Sequence, residues 1–287
     1  MMCAEAVVVI PAFNEQDYIP FPLIRLHMES LYFRQGEPIP VVVVDNGSTD
    51  QTKQVAQDIG EKLAGIELHL VDEKEKGTGR AADTGFRYAI ENMGAKILAR
   101  TDANSRPVPS WYTALLNRHK SDPKIQLLTG PSFPHIETIR YDADDYTIPV
   151  SEVDILDLAM MSRVINAKRV TRLMRSIRYA DPAFNYAFAP GYNMSTTALA
   201  YKETGGFPRT AIDHTDEDVT YNRMVGKIFG FRSKKFDIEM QVQYSLRRER
   251  TLSELHPTLH TLGMGYVISA LHYALPGHRQ KNYSDIR

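Results

Sequence analysis

Val7-Val8-Val9-Ile10-Pro11-Ala12-Phe13-Asn14-Glu15 is the stretch on which the fold turns. Four β-branched residues in a row leave no polar face, so the run suits a strand buried on both sides, in a parallel sheet covered by helices. The pattern recurs twice. Val41-Val42-Val43-Val44 runs into Asp45-Asn46-Gly47-Ser48-Thr49-Asp50, and Ile97-Leu98-Ala99 runs into Arg100-Thr101-Asp102-Ala103-Asn104-Ser105. In such sheets ligands bind beyond the carboxyl ends of the strands, the position that Glu15, Asp45 and Asp102 share. Three acids there imply a ligand rich in hydroxyls, a metal ion, or both.

Outward from these runs, a strand–helix rhythm fills the first 130 residues. The pattern predicts strands at 6–10, 41–44, 66–71, 96–99 and 125–129, with helices near 15–31, 51–63, 79–93 and 109–120. Val55, Ala56, Ile59 and Leu63 recur at helical spacing in the second helix, with Asp50 as its expected N-cap. Units of roughly 25–35 residues match right-handed βαβ crossovers. Beyond residue 130 the rhythm breaks: 131–150 reads as a long loop with Pro131, Pro134, Pro149 and Asp142, Asp144 and Asp145. Residues 152–178 read as a helix, whose second half carries Arg169, Arg172, Arg175 and Arg178 at three-residue spacing. A solvated face explains that row better than a surface for an anionic acceptor or an acidic membrane. Residues 260–275 read as a helix that closes the core or seams a homodimer, rather than a membrane anchor.

Composition narrows the classes. Across 287 residues, 43% are hydrophobic and 24% charged, as in an ordinary globular protein long enough for one large α/β domain. A net charge of -1 gives no support to nucleic-acid binding. The single cysteine, Cys3, excludes an internal disulfide framework and a cysteine-based zinc site. With neither a signal-like N-terminus nor an 18-residue apolar run, the expectation is a cytoplasmic chain without a transmembrane segment, at most peripheral to the membrane.

Several clusters carry chemistry. Lys74-Glu75-Lys76-Gly77-Thr78-Gly79-Arg80 opens a helix: its glycines permit close backbone approach, the helix N-terminus favours an anion, and Lys76 and Arg80 add charge for a diphosphate. Asp102 and Asn104, separated by one residue at a strand end, can face one divalent cation or form an Asx turn before Pro107. His214-Thr215-Asp216-Glu217-Asp218 puts three acids at a helix start, where they complement the dipole or supply a general base. Ser245-Leu246-Arg247-Arg248 ends in a cationic pair suited to phosphate oxygens or to surface ion pairs.

In this order, with Gly191-Tyr192-Asn193-Met194 and Gly205-Gly206-Phe207 between them, the segments resemble the family 2 glycosyltransferases of GT-A fold, from Val7 to about Arg248. The resemblance implies an α/β, GT-A type nucleotide-binding fold with a mostly parallel central sheet flanked by helices. Its expected domain spans 1–250, with 1–130 binding the nucleotide-sugar and 131–250 on the acceptor side, and 251–287 forms a C-terminal helical extension. It implies transfer of a hexosyl or N-acetylhexosaminyl group from a nucleotide-diphosphate sugar, commonly UDP-linked, to an acceptor hydroxyl with inversion. The residues matching Pro11, Ala12, Phe13, Glu15 and Asp45 then surround nucleobase and ribose. Gly77, Arg80, Asp102, Ala103, Arg247 and Arg248 complete the donor site, and Gly191, Tyr192 and Asn193 line the sugar and acceptor pocket. Asp218 is the expected base, with Glu217 and Asp216 as its rivals. Mg²⁺ or Mn²⁺ is expected on Asp102 and Asn104, with His214 as a further ligand. Asn104 stands where the family has a second Asp, and Thr220-Tyr221 where many relatives have an acid and leucine. The acceptor is left open among a small molecule, a peptide and a lipid-linked sugar. Retaining transfer on the same fold and a non-catalytic nucleotide-sugar-binding protein are the alternatives.

Overall fold

The computed structural model describes residues 4–135, 190–209 and 217–245, all belonging to one compact unit. Its elements run β1 (Ala6–Ala12), α1 (Pro20–Phe33), β2 (Ile39–Asp45), α2 (Thr52–Lys62), β3 (Ile66–Asp72), α3 (Thr78–Met93) and β4 (Ile97–Arg100). There follow β5 (Ser105–Pro107), α4 (Trp111–Ser121), β6 (Leu127–Thr129), β7 (Ser132–His135) and β8 (Met194–Thr197). Then come α5 (Ala198–Thr204), α6 (Glu217–Phe229), a 3₁₀ turn at Phe231–Ser233, β9 (Lys234–Phe236) and β10 (Val242–Ser245).

Seven strands form the main sheet in the order β3-β2-β1-β4-β8-β6-β9. β8 is antiparallel to both β4 and β6, and every other pair is parallel. The valine run explains the centre: every residue of β1 is buried, with Val8 beside Val41 and Ala12 beside Asp45. From β1 the chain winds outward through β2 to β3, then returns to β4 on the other flank. The strand order therefore reverses at β1, and the crevice of a doubly wound sheet opens beyond the ends of β1 and β4. A smaller sheet, β5-β10-β7, stands apart from the main one.

Packing onto the sheet is close where side chains are small. A Cβ on Gly85 of α3 would fall 2.3 Å from Val9 Cγ1 and 2.8 Å from Val44 Cγ2, so only glycine lets that helix settle on β1 and β2. Phe86 beside it joins Val7, Val44, Leu98, Met194, Tyr201, Phe207 and Tyr221 in one buried cluster that binds α3, α5 and α6 to the sheet. Each such side chain contributes about 1.5–3 kcal/mol by its burial. Gly94, left-handed at φ 65°, ends α3. At the N-terminus of α4, Glu29 of α1 takes the place of a local cap. Its carboxylate accepts from the N–H groups of Tyr112 (3.0 Å) and Thr113 (2.7 Å), while Ser110 makes no side-chain cap bond. Burial raises the Glu29 carboxyl, against the pull of those two N–H groups.

Four expectations need correction. Residues 132–135 are not loop: their backbone pairs in parallel with β10, a partner more than a hundred residues away in sequence. α1 starts at Pro20 rather than near 15, because the chain first turns through Asn14 at φ 54° and Pro20 is suited to a first helical position. The α2 cap is Gln51 with no side-chain bond, although Asp50 Oδ1 still accepts from the Thr52 N–H at 3.0 Å. The last expected strand begins at Leu127, since Ile125 closes a turn onto the Asp122 carbonyl. The expected helices at 152–178 and 260–275, the arginine row and the extension at 251–287 lie outside the described residues. Among those described, no helix is long and apolar enough to cross a membrane.

Candidate active site

Two loops meet beyond β1 and β2, and most of their polar side chains serve to join them. The Asn14 N–H donates to Ser48 Oγ (3.0 Å), and Asn14 Oδ1 accepts from the Thr49 N–H (2.8 Å). The Glu15 N–H donates to Thr52 Oγ1 (2.7 Å) and the Gln16 N–H to Asp50 Oδ2 (3.2 Å). Asn46 spends its whole amide on the next loop. It donates to the carbonyls of Glu73 (3.0 Å) and Glu75 (2.8 Å) and accepts from the Gly77 N–H (2.8 Å). Gly77 has φ 147°, which a side chain would strain. Within this frame lie the expected nucleotide residues. Pro11 and Ala12 end β1, Asp45 ends β2 with its carboxylate accepting from the Ser48 N–H (3.2 Å), and Glu15 is buried. Phe13 lies under Lys76, whose Nζ is 3.6 Å from the ring centroid and donates to the Gly47 carbonyl (2.7 Å).

Arg80, expected at a diphosphate, pairs with Glu75 (3.2 Å) and donates to the Arg209 carbonyl (3.2 Å). The Arg209 guanidinium itself holds Glu73 (2.7 Å) and the fully buried Asp83 (2.9 Å), and Tyr201 donates to Asp83. Burial works to raise the Glu73 carboxyl, but Thr84, the Glu75 N–H and Arg209 outweigh it and hold it below the usual range. Burial first, and then the Asp83 charge, push the Tyr201 phenol up. This network ties the Gly205-Gly206-Phe207 turn to α3. A Cβ on Gly206 would sit 2.8 Å from Asp83 Oδ1.

At the end of β4 stands a residue that sequence reasoning did not single out. Arg100 is 2% exposed. Its Nη1 donates to Glu217 Oε1 (3.0 Å), and its Nε and Nη2 each lie 3.3 Å from Asp102 Oδ1. Gly191 packs on the guanidinium, where a Cβ would fall 2.7 Å from Cζ, and the Gly191 N–H donates to Asp218 Oδ2 (2.7 Å). α3 closes from the other side: a Cβ on Gly79 would come within 3.0 Å of Glu217 Cβ. Burial alone would lower the Arg100 pKa, but Asp102, Glu217 and Asp218 reverse this and drive it up, so the cation is permanent. Segments around Asp102, Gly191 and Glu217, scattered over the sequence, thus meet on one guanidinium. The signal available was a charged residue between a buried strand and an acid.

The remaining expected residues divide. Ala103 is buried beside Asp102. Tyr192 stacks 5.3 Å from Tyr244. Asn193 is fully buried and serves as a staple, accepting from Trp111 Nε1 (2.9 Å) and donating to the carbonyls of Pro131 (3.1 Å) and Met240 (2.9 Å). Asp216, His214, Arg247 and Arg248 lie outside the described residues.

The donor set for a metal is sparse. Among the described residues no three His, Cys, Asp or Glu side chains gather as a cation would need. Asp102 and Asn104 offer one carboxylate and one amide oxygen. The buried hydroxyls of Thr101 and Ser105 on either side have no hydrogen-bond partner among the described residues. Mg²⁺ uses such small protein sets when substrate phosphates and waters complete its shell. These described residues therefore fit a cation whose shell a diphosphate and water complete.

A mostly parallel seven-stranded sheet with one reversed strand, and acids at its crevice, is the GT-A glycosyltransferase fold. Glucosyl-3-phosphoglycerate synthase from Mycobacterium tuberculosis shares it at TM-score 0.55 and 15% identity, over 93% of this chain and 79% of that one. TarS 1-349 of S. aureus shares it at TM-score 0.54 and 11% identity, over 95% and 72%. Residues 7–135 match the model described as Glycosyl transferase family 2. Glycosyltransferase AglE of Haloferax volcanii is 32% identical over 104 residues, 36% of this chain and 32% of AglE. The chain spans less than half the length of the curated relatives it matches.

Proposed function

We propose that the chain transfers a hexosyl or N-acetylhexosaminyl group from a UDP-sugar to an acceptor hydroxyl, with inversion. The observation that carries this reading is the cluster at the crevice, where Asp102 and the Glu217–Asp218 pair share one buried cation. The glucosyl-3-phosphoglycerate synthase structure contains Mn²⁺, UDP-glucose and phosphoglyceric acid, which supports a UDP-sugar donor on this fold.

The division of labour follows from the partners. Glu217 is held by Arg100 at 3.0 Å, an ion pair that a proton-accepting role would have to break. Asp218, steadied through one oxygen by the Gly191 N–H, is the better base: a positioned carboxylate that takes the acceptor proton as the hydroxyl attacks the anomeric carbon. The leaving group is the nucleoside diphosphate. Asp102 and Asn104 would hold Mg²⁺ or Mn²⁺, which when bound supplies charge for the diphosphate oxygens. Phe13, Glu15 and Asp45 form the nucleobase and ribose side, and Gly77 gives the diphosphate close access to the α3 N-terminus. Arg80 joins that role only by leaving Glu75. Arg247 and Arg248 are assigned there from the family pattern alone, with Asp216 kept as a rival base and His214 as a further metal ligand. The domain reading of 1–250 with an extension at 251–287 belongs to the same proposal.

The test is UDP release from UDP-glucose and UDP-N-acetylglucosamine with and without Mn²⁺, beside a thermal-shift panel with UDP, GDP, dTDP and CMP. UDP at 100 times its Kd adds about 2.7 kcal/mol of stability. A UDP-specific shift with release of UDP supports the transferase. A shift without release, for any acceptor tried, replaces it with a nucleotide-sugar-binding protein.

A further inference from the structure

We propose that Arg100 is a positioning residue, which sets the separation of the donor-side acid Asp102 from the acid pair on α6 and thereby leaves Asp218 as the group that serves the acceptor. This rests on the transferase reading above. Arg100 is 2% exposed, and its guanidinium is taken up by Asp102 and Glu217, so its effect on transfer is argued through those partners. Those partners come from three segments. Asp102 belongs to the turn after β4, Glu217 opens α6, and Gly191 lies in the turn before β8. The planar fork matters, because one guanidinium engages two carboxylates through different nitrogens while its carbon supports the Gly191 backbone. Gly191 in turn orients Asp218. One side chain thus fixes both ends of the site: the acid on the diphosphate side directly, and the acid on the acceptor side through Glu217 and Gly191.

Lysine keeps the charge but not the fork. Arg100→Lys reaches one carboxylate at a time, so Glu217 and Asp102 are no longer held at a set distance. Glu217→Gln takes the charge out of the same tie from the other end and leaves Arg100 paired with Asp102. The experiment measures kcat and KM for UDP release from the better of the two UDP-sugars, in wild type, both single variants and the double variant, with UDP affinity measured alongside by calorimetry. Expected is a fall in kcat of at least tenfold in each single variant, with KM and UDP affinity within threefold of wild type in Glu217→Gln, whose Asp102 keeps its partner. Because both act on one linkage, the double variant falls little below the worse single one. A purely structural role would instead lower UDP affinity and the melting point together. A folded Arg100→Lys chain with kcat within twofold of wild type overturns the proposal, as does a double variant whose loss is the product of the two. Should Arg100→Lys not fold, Glu217→Gln decides: kcat within twofold of wild type overturns the proposal, and a tenfold fall with KM unmoved upholds it. A wild type that neither binds UDP nor releases it overturns the transferase reading and this proposal together, a result distinct from an active wild type indifferent to residue 100.

Discussion

His119 makes the fold sensitive to acid. It lies in the last turn of α4, 7% exposed, with Nε2 3.0 Å from Ser195 Oγ of β8. Burial lowers its pKa from 6.5 to about 4, against a weaker upward pull from a hydrogen bond to the Ile125 backbone. The neutral ring is what the native packing accepts. In the unfolded chain the imidazole takes a proton below about pH 6.5, which the native state refuses until about pH 4. Its contribution is therefore complete above pH 6.5, declines as the pH falls toward 4, and levels off below. At pH 5 the loss is about 2 kcal/mol, and across the whole window about 3 kcal/mol. Urea unfolding of wild type and His119→Gln at pH 7.5 and pH 5 isolates this amount, because the carboxylates titrate alike in both. The variant is less stable at pH 7.5 but loses about 2 kcal/mol less than wild type on acidification. Equal losses in the two proteins, or an NMR titration of His119 near pH 6.5 in the folded state, would refute the argument.

Other outcomes follow from the site and its frame. Asp218→Asn lowers kcat by about 10²–10⁴ and leaves the UDP thermal shift nearly intact; retained turnover transfers the base role elsewhere. Asn46→Ala strands the Gly77 N–H and the carbonyls of Glu73 and Glu75, costing about 1–3 kcal/mol in urea unfolding and weakening UDP binding; an unchanged midpoint shows that water replaces the amide. Asn104→Asp tightens Mn²⁺ binding in the presence of UDP, measured by calorimetry, if that position is a ligand, and leaves it unmoved if it is not.

How far the sequence reached depended on the range of the interaction. β1, β2 and β4 were legible because a run of Val, Ile, Leu and Ala is a local signal of two-sided burial. β7 was not, nor was its partnership with β10: it is four residues long, with Pro134 inside it. Their pairing depends on a long return of the chain. At the site, Asp102, Gly191, Glu217 and Asp218 stood out as motifs, but nothing local showed that Arg100 would join them, since its Glu217 partner lies 117 residues away. Asn193 misled in the opposite direction. A polar residue in a glycine-rich turn resembles a pocket residue, and only the surrounding carbonyls show that its amide is fully occupied indoors. Asn14, Ser48 and Asp50 taught the same lesson, as oxygens dense enough to suggest a ligand were largely joining two loops.

The borrowed cap on α4 bears on the order in which the molecule assembles. Ser110 enters that helix at φ 79° without a side-chain cap bond, and the carboxylate that completes its first turn belongs to a residue 83 positions earlier. Helix nucleation is costly for 11 residues without a local start signal. α4 should therefore acquire its helicity only after α1 has docked, as a late event in folding. A peptide of residues 109–122 is then expected to be disordered in water by circular dichroism, and substitutions on α4 to change the unfolding rate more than the folding rate. A helical peptide, or a folding rate sensitive to Glu29→Gln, would make α4 an early element instead.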